Sequence, residues 1–207
     1  MNNMIKPFVS VIIPCKDQRS NIQRTLNTIF AQSYPSDRTE IIVVDGISTD
    51  GTRDILERIK EEKENLKILE NKKKNIPSAL NLGVRHSRGE IIVRMDAHTE
   101  YANDYIEKCV EELMEKGVEN VGGAKRATGE GYWKSVIAHT IGLSTIYGGA
   151  KNHNQSYEGL VDTVYLGCWK RELLDQVGEF DPYCLRDEDN EMNLRIRLRG
   201  GKVWQSR

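Results

Sequence analysis

The chain has 207 residues, enough for one domain with a real hydrophobic core and too few to suggest two independent ones. Lysine and arginine total 30 against 31 aspartates and glutamates, a net charge of -1 that excludes an overall field for nucleic acid or an anionic membrane. The four cysteines, Cys15, Cys109, Cys168 and Cys184, have neither metal-knuckle spacing nor the density of a stapled secreted domain, so a reducing, cytoplasmic compartment is expected.

Val9 to Ile13 is β-branched and almost wholly apolar, the pattern of a strand buried on both faces, and it ends at Pro14. The run lacks the basic flank and cleavage site of a signal peptide, and no stretch of ~18 apolar residues that would span a bilayer occurs anywhere. Ser20 with Gln23 reads as a capping box, and Ile22, Leu26, Ile29 and Phe30 then fall on one helical face until Tyr34-Pro35. Glu40 to Val44 is a second strand ending on Asp45. The turn-rich stretch Gly46 to Thr52 leads to a helix lined by Ile55, Leu56 and Ile59, with a charged, solvated outer face. Leu66 to Leu69 gives a third strand, Pro77 opens a helix that runs through Gly83, and Glu90 to Met95 gives a fourth strand ending on Asp96. This β-α-β alternation predicts an α/β domain with a mostly parallel sheet, helices on both faces, and ligands at the carboxyl ends of the strands. A helix carrying Ile106, Cys109, Val110 and Leu113 follows, then a weak strand around Val121. From Lys125 to Gly159 the pattern fails, apart from one helix near Trp133 to Leu143. Order resumes with a strand over Val161 to Leu166 and a helix over Arg171 to Val177, stopped by Gly178. A further helix over Glu188 to Arg199 is stopped by Gly200-Gly201. The chain stops at Trp204 to Arg207, just after the start of a strand, so a further C-terminal part is expected.

Three strand-end or helix-start clusters carry the candidate chemistry. In Asp96-Ala97-His98 the period of two puts the acid and the imidazole on one side. Such a pair suits Mn²⁺, whereas Mg²⁺ prefers oxygen donors alone; a turn-capping Asp beside a surface His is an equal reading. Asp45 is placed to accept the N3-H of a uracil ring, which cytosine lacks, or to open an Asx-turn into Gly46 to Thr52. Glu188 and Asp189 start an Arg-rich helix. Macrodipole complementarity explains that pattern, and so does a general base beside a cleft. Lys72 to Lys74 reads as a solvated loop, and Cys15 and Cys168 as small core residues with no adjacent base.

Together these segments resemble the family 2 glycosyltransferases of the GT-A type. The matching stretches are VSVIIPCKDQ, IIVVDGISTDGT, ALNLGVRHSRGEIIVRMDAH, YLGCWKRELLDQVGEFDP and DEDNEMNLRIRLRGG, in family order from Val9 to Gly201. The Asp-Ala-His variant is similar to that of the succinoglycan and exopolysaccharide-type transferases. The resemblance implies one Rossmann-like GT-A domain over 1–207, with a nucleotide-binding half over 1–98 and an acceptor and catalytic half over 99–207. It implies inverting transfer from a nucleotide-sugar donor, a UDP-sugar in the first instance, to a hydroxyl of a glycan or lipid-linked saccharide acceptor. The backbone around Pro14 and Cys15 and the side chain of Asp45 would hold the nucleoside. Asp96 and Ala97 would border the diphosphate, Asp96 and His98 would hold a divalent cation, Mn²⁺ or Mg²⁺, and Asp189, preceded by Glu188, would be the base. Gly167-Cys168 would border the sugar and acceptor. Two departures stand out: Gly46 sits where many members carry a second acid, and His98 replaces the second acid of the metal motif. Peripheral attachment at the inner membrane face and a homodimer are compatible with this reading. The rival is a non-catalytic nucleotide-sugar or glycan-binding module. A sugar nucleotidyltransferase or a dinucleotide-dependent oxidoreductase would need a glycine-rich loop where this chain has PCKDQRS.

Overall fold

The computed structural model describes residues 6–125 and 150–207. Strands β1 (Val9–Cys15), β2 (Thr39–Asp45), β3 (Leu66–Glu70) and β4 (Ile91–Arg94) alternate with helices α1 (Ile22–Phe30), α2 (Thr52–Glu62) and α3 (Ile76–His86). All four strands are parallel, with β1 between β2 and β4. Helix α4 (Tyr105–Glu115) and strand β5 (Asn120–Gly123) follow. After them come β6 (Gly159–Val161), β7 (Gly167–Lys170), α5 (Arg171–Val177), α6 (Glu188–Leu198) and β8 (Val203–Ser206). The described strands form one sheet in the order β3-β2-β1-β4-β7-β5-β8-β6. Strand β7 runs antiparallel to both β4 and β5, while β8 is parallel to β5 and antiparallel to β6.

Burial on both faces explains the near-continuous apolar strands. Val11, Ile13, Val43 and Val93 pack with Leu26 of α1, Leu56 of α2 and Leu113 of α4. Their neighbours Ile12, Ile42 and Ile92 belong to the opposite cluster, with Leu80 of α3, Trp169 of β7, and Met192 and Ile196 of α6. The two-residue alternation then carries forward from Ile92 to Arg94, placing that arginine on the α6 side of the sheet. Gly83 sits where α3 crosses β1, and a Cβ there would collide with Ile12 Cγ2.

Several local expectations need correction. Ser20 and Gln23 form no capping box: Asn21 is the N-cap but its side chain caps no helix amide, donating to Gln18 Oε1 (2.9 Å), and Gln23 donates to Asn27 (3.1 Å). The Gln18 carbonyl accepts the amides of both Asn21 and Ile22 and closes the turn that starts the helix. Helix α3 continues past Gly83 to His86. The single strand expected over Val161 to Leu166 is two shorter ones, because 162–166 leaves the sheet and re-enters it through Leu166 (φ 65°) and Gly167 (φ 154°). A side chain at Gly167 would also lie 2.7 Å from Asn120 Oδ1, so the re-entry needs glycine. The helix expected near Trp133 to Leu143 lies outside the described residues. No helix among the described residues is long and apolar enough to cross a membrane.

Candidate active site

At the carboxyl ends of the parallel strands a cleft of about 180 Å³ opens. Pro14 and Cys15 of β1, Gly46 beyond β2, and Asp96, Ala97 and His98 beyond β4 line it. Lys16, Gln18, Lys74 and the start of α3 complete the lining. Of the lysine run, Lys74 alone reaches this cleft. Burial, reinforced by the carboxylates of Asp45, Asp50 and Asp17, pushes the Cys15 thiol up to about 12, so it is a wall group and not a nucleophile.

Asp45 is not part of this lining. Its side chain is 4% exposed and turned into its own loop, where Ser48 Oγ (2.5 Å) and Ser48 N (3.3 Å) donate to it. Arg53 stands 3.9 Å away. The bonded amide is three residues on and not the two of an Asx-turn, but the carboxylate is still satisfied within its own loop, and Gly46 is the residue there that lines the cleft.

Asp96 has a different setting. Its backbone is pinned, since its amide donates to the Tyr101 hydroxyl (2.6 Å) and the following Ala97 carbonyl accepts from Thr25 Oγ1 (3.1 Å). The carboxylate reaches across to the second half of the chain. Oδ2 accepts from the Tyr165 hydroxyl (2.6 Å), and Oδ1 lies 3.4 Å from Arg94 Nη2. Burial first, and then the Asp96 carboxylate, raise the pKa of the Tyr165 hydroxyl, which keeps it protonated and donating. The ammonium of Lys125 covers the Tyr165 ring, 4.5 Å from its centre.

Arg94 gathers the remaining candidates. Only 3% exposed, its guanidinium bonds Glu188 Oε1 (2.7 Å) and Asp189 Oδ1 at the first turn of α6, in addition to Asp96. Asp189 Oδ2 accepts from the Leu166 amide (3.2 Å), which lies next to the tyrosine that holds Asp96. The structure thus joins Asp96, Glu188 and Asp189 in one cluster, with formal charge -2 if all three acids are ionised, and leaves Asp45 apart. Sequence reasoning missed Arg94 and Tyr165. The available signal was an arginine inside the apolar strand IIVRMD, two residues before Asp96 and therefore on its face.

Asp96 and His98 share the cleft, and among the described residues no three His, Cys, Asp or Glu side chains form a metal cage. The donor set suits a divalent cation that takes its other ligands from a phosphate-bearing ligand and water, and the negative excess around Arg94 favours such a cation.

The family model described as "Glycosyl transferase family 2" matches residues 10–178. The succinoglycan biosynthesis protein ExoA of Rhizobium meliloti (strain 1021) is 26% identical over 198 residues, which cover 95% of this chain and 60% of the relative. A dolichyl N-acetyl-alpha-D-glucosaminyl phosphate 3-beta-D-2,3-diacetamido-2,3-dideoxy-beta-D-glucuronosyltransferase of Methanococcus voltae is 28% identical over 206 residues, covering 95% of this chain and 64% of the relative. The chain therefore spans less than two thirds of either relative. Among solved structures, the mannosyltransferase PcManGT from Pyrobaculum calidifontis, in complex with GDP-Man and Mn²⁺, superimposes with a TM-score of 0.77 at 27% identity, covering 98% of this chain and 57% of that one. The S. aureus TarS structure with UDP-GlcNAc matches at TM-score 0.73 and 18% identity, covering 96% and 56%, and supports the fold alone. The fold is GT-A, and the chain belongs to glycosyl transferase family 2.

Proposed function

We propose that the protein transfers a sugar from a nucleoside-diphosphate donor to an acceptor hydroxyl with inversion, in polysaccharide or glycolipid synthesis. The observation that carries this reading is the joining of Asp96, in the cleft lining, to Asp189, at the helix start, through one buried guanidinium. A donor group and a base are thereby held side by side. The relatives named for succinoglycan and for a dolichyl-linked saccharide support the acceptor class.

The donor's nucleoside would lie between β1 and β2, against Pro14, Cys15 and Gly46. Asp45 would select a base that offers a ring N-H, which cytosine lacks, after turning one oxygen from Ser48. Uracil is the first expectation. A guanine base also presents N-H groups, and the GDP-Man complex of the mannosyltransferase makes GDP the second. The diphosphate would reach Asp96 and Ala97. Asp96 and His98 would hold the divalent cation, Mn²⁺ before Mg²⁺ given the nitrogen donor, and it would supply charge stabilisation for the departing diphosphate.

Asp189 would accept the proton of the acceptor hydroxyl. As that proton moves, the acceptor oxygen bonds the anomeric carbon from the face opposite the diphosphate, and the breaking C–O bond leaves its electron pair on the nucleoside diphosphate. Attack from that face inverts the centre, as in the base half of an inverting glycosidase. Glu188, buried against Arg94, would steady the pair. The half over 99–207 supplies this chemistry to the nucleotide half over 1–98, and the two act as one domain.

The test pairs binding with turnover. Wild type should bind UDP in the presence of Mn²⁺, and should release UDP or GDP from a panel of UDP- and GDP-sugars with soluble saccharide acceptors. Asp189→Asn keeps the shape of the helix start and should retain donor affinity while losing ~100- to 10,000-fold in rate, the usual cost of a positioned base. Near wild-type turnover by Asp189→Asn would place the base elsewhere. Donor binding with no turnover in any protein would favour the binding-module reading.

A further inference from the structure

Arg94 is unlike the rest of its strand. Its neighbours Ile91, Ile92 and Val93 are fully buried and apolar, and a buried arginine is costly unless it is paired and hydrogen-bonded. It has a surplus of partners: three carboxylates, whose side chains are 13%, 7% and 16% exposed for Asp96, Glu188 and Asp189. The fork itself is divided. Nη1 serves Asp189, Nη2 is shared between Glu188 and the more distant Asp96, and Nε has no partner among the described residues.

That arrangement is poor as a structural ion pair. A structural arginine would be matched by one or two acids and would have its Nε satisfied. Here one guanidinium serves acids from two stations at once, the end of β4 and the start of α6. A second connection runs beside it, because Tyr165 holds Asp96 while the next residue, Leu166, holds Asp189 through its amide. Leu166 keeps that amide in place at φ 65°, an uncommon conformation for a leucine. Any cation that binds Asp96 must displace the Tyr165 hydroxyl or share the carboxylate with it, and it arrives close to the positive charge of Arg94.

We propose that Arg94 is a positioning residue that aims Asp189 at the acceptor and competes with the cation for Asp96, so that cation arrival releases Asp96 and leaves the guanidinium to Glu188 and Asp189. This rests on the proposed function, since it presumes a cation at Asp96 and a base at Asp189. Arg94 itself touches neither substrate nor cation. Its removal should therefore move two quantities in opposite directions, which loss of a merely structural group would not do. A positive charge close to a dication repels it even at a surface-like dielectric, so deleting that charge should tighten Mn²⁺ binding by about tenfold or more. A base that loses its aim should slow turnover by about 100-fold even when donor and cation are saturating.

The experiment measures free Mn²⁺ by electron paramagnetic resonance in titrations of wild type, Arg94→Met and Arg94→Lys. It also measures kcat and KM for nucleoside diphosphate release from the donor that wild type uses. Arg94→Met is expected to bind Mn²⁺ more tightly and to lose kcat without a raised donor KM. Arg94→Lys keeps the charge but not the fork, so its Mn²⁺ affinity should stay near wild type while kcat falls by about tenfold or more. If Arg94→Met fails to fold, as its circular dichroism melt would show, Arg94→Lys decides alone: full kcat overturns the proposal. Unchanged or weaker Mn²⁺ binding by folded Arg94→Met also overturns it. A wild type that neither binds Mn²⁺ nor turns over donor removes the underlying function, whereas an active wild type matched by its Arg94 variants removes only the role of Arg94.

Discussion

Asp45 and Asp96 look alike in the sequence, each an acid directly beyond an apolar parallel strand, and the fold treats them in opposite ways. Asp45 is satisfied within its own loop by Ser48, three residues on. Asp96 finds its partners in Arg94, the last residue of the strand before it, and in Tyr165, far along the chain. A locally satisfied carboxylate fixes a turn and costs little to read. A carboxylate whose partners come from distant elements marks the place where two halves of the molecule meet, which is where a reaction centre can be assembled.

The largest expected effect follows from that difference. Asp96→Ala should weaken Mn²⁺-assisted UDP binding by at least about 100-fold in calorimetry. His98→Ala should cost about tenfold, because a lost ligand costs at least what a lost outer partner does and Asp96 supplies the charge. If chelator leaves UDP binding to wild type unchanged, Asp96 is no more than a turn residue and the contrast collapses. Asp45→Ala should have a smaller and more selective effect, about tenfold on UDP with CDP unmoved, the scale of one hydrogen bond to a charged group. Equal losses for UDP and CDP would leave Asp45 with its turn alone. Ser48→Ala should be smallest, lowering stability by about 1 to 2 kcal/mol in a denaturant titration through the hydroxyl's lost contacts to Asp45 and the Asp17 amide, with Mn²⁺ binding untouched. A change in Mn²⁺ affinity on Ser48→Ala would show that the two aspartates are coupled after all.

The parallel half was legible because its signals are local. β-branched runs gave β1 to β4, turn residues gave their ends, the rule that ligands collect at carboxyl ends gave Pro14, Cys15, Asp45 and Asp96, and the two-residue period added His98. The structure brings all of these but Asp45 to one cleft. The second half was legible in its helices, in the weak strand around Val121 and in the strand beginning near Trp204, but not in between. Val161 to Leu166 reads as one strand because its side chains suit one, yet the chain turns out of the sheet there, and the amide of Leu166 is used for Asp189 instead. Arg94 stayed silent for a related reason. An arginine in an apolar strand has no meaning until α6, distant in sequence, delivers Glu188 and Asp189 against it. Ser20 and Gln23 show the reverse error, a correct pattern for a cap that the Gln18 carbonyl had already made unnecessary.

The place of β8 bears on how the protein is born. It pairs with β5 on one side and β6 on the other, yet its residues are the last of any described strand to leave the ribosome. Strands β1 to β4 can pair as soon as they emerge, so the parallel half has its sheet early. Strand β5 must instead wait, with an open edge toward the absent β8, while the chain up to Val203 is made. An open edge is an invitation to the wrong neighbour. The composition of β5, Asn-Val-Gly-Gly, sharpens that hazard, because its glycines, which make room for Val164 and Tyr105, leave little side chain to fix its register until β8 arrives.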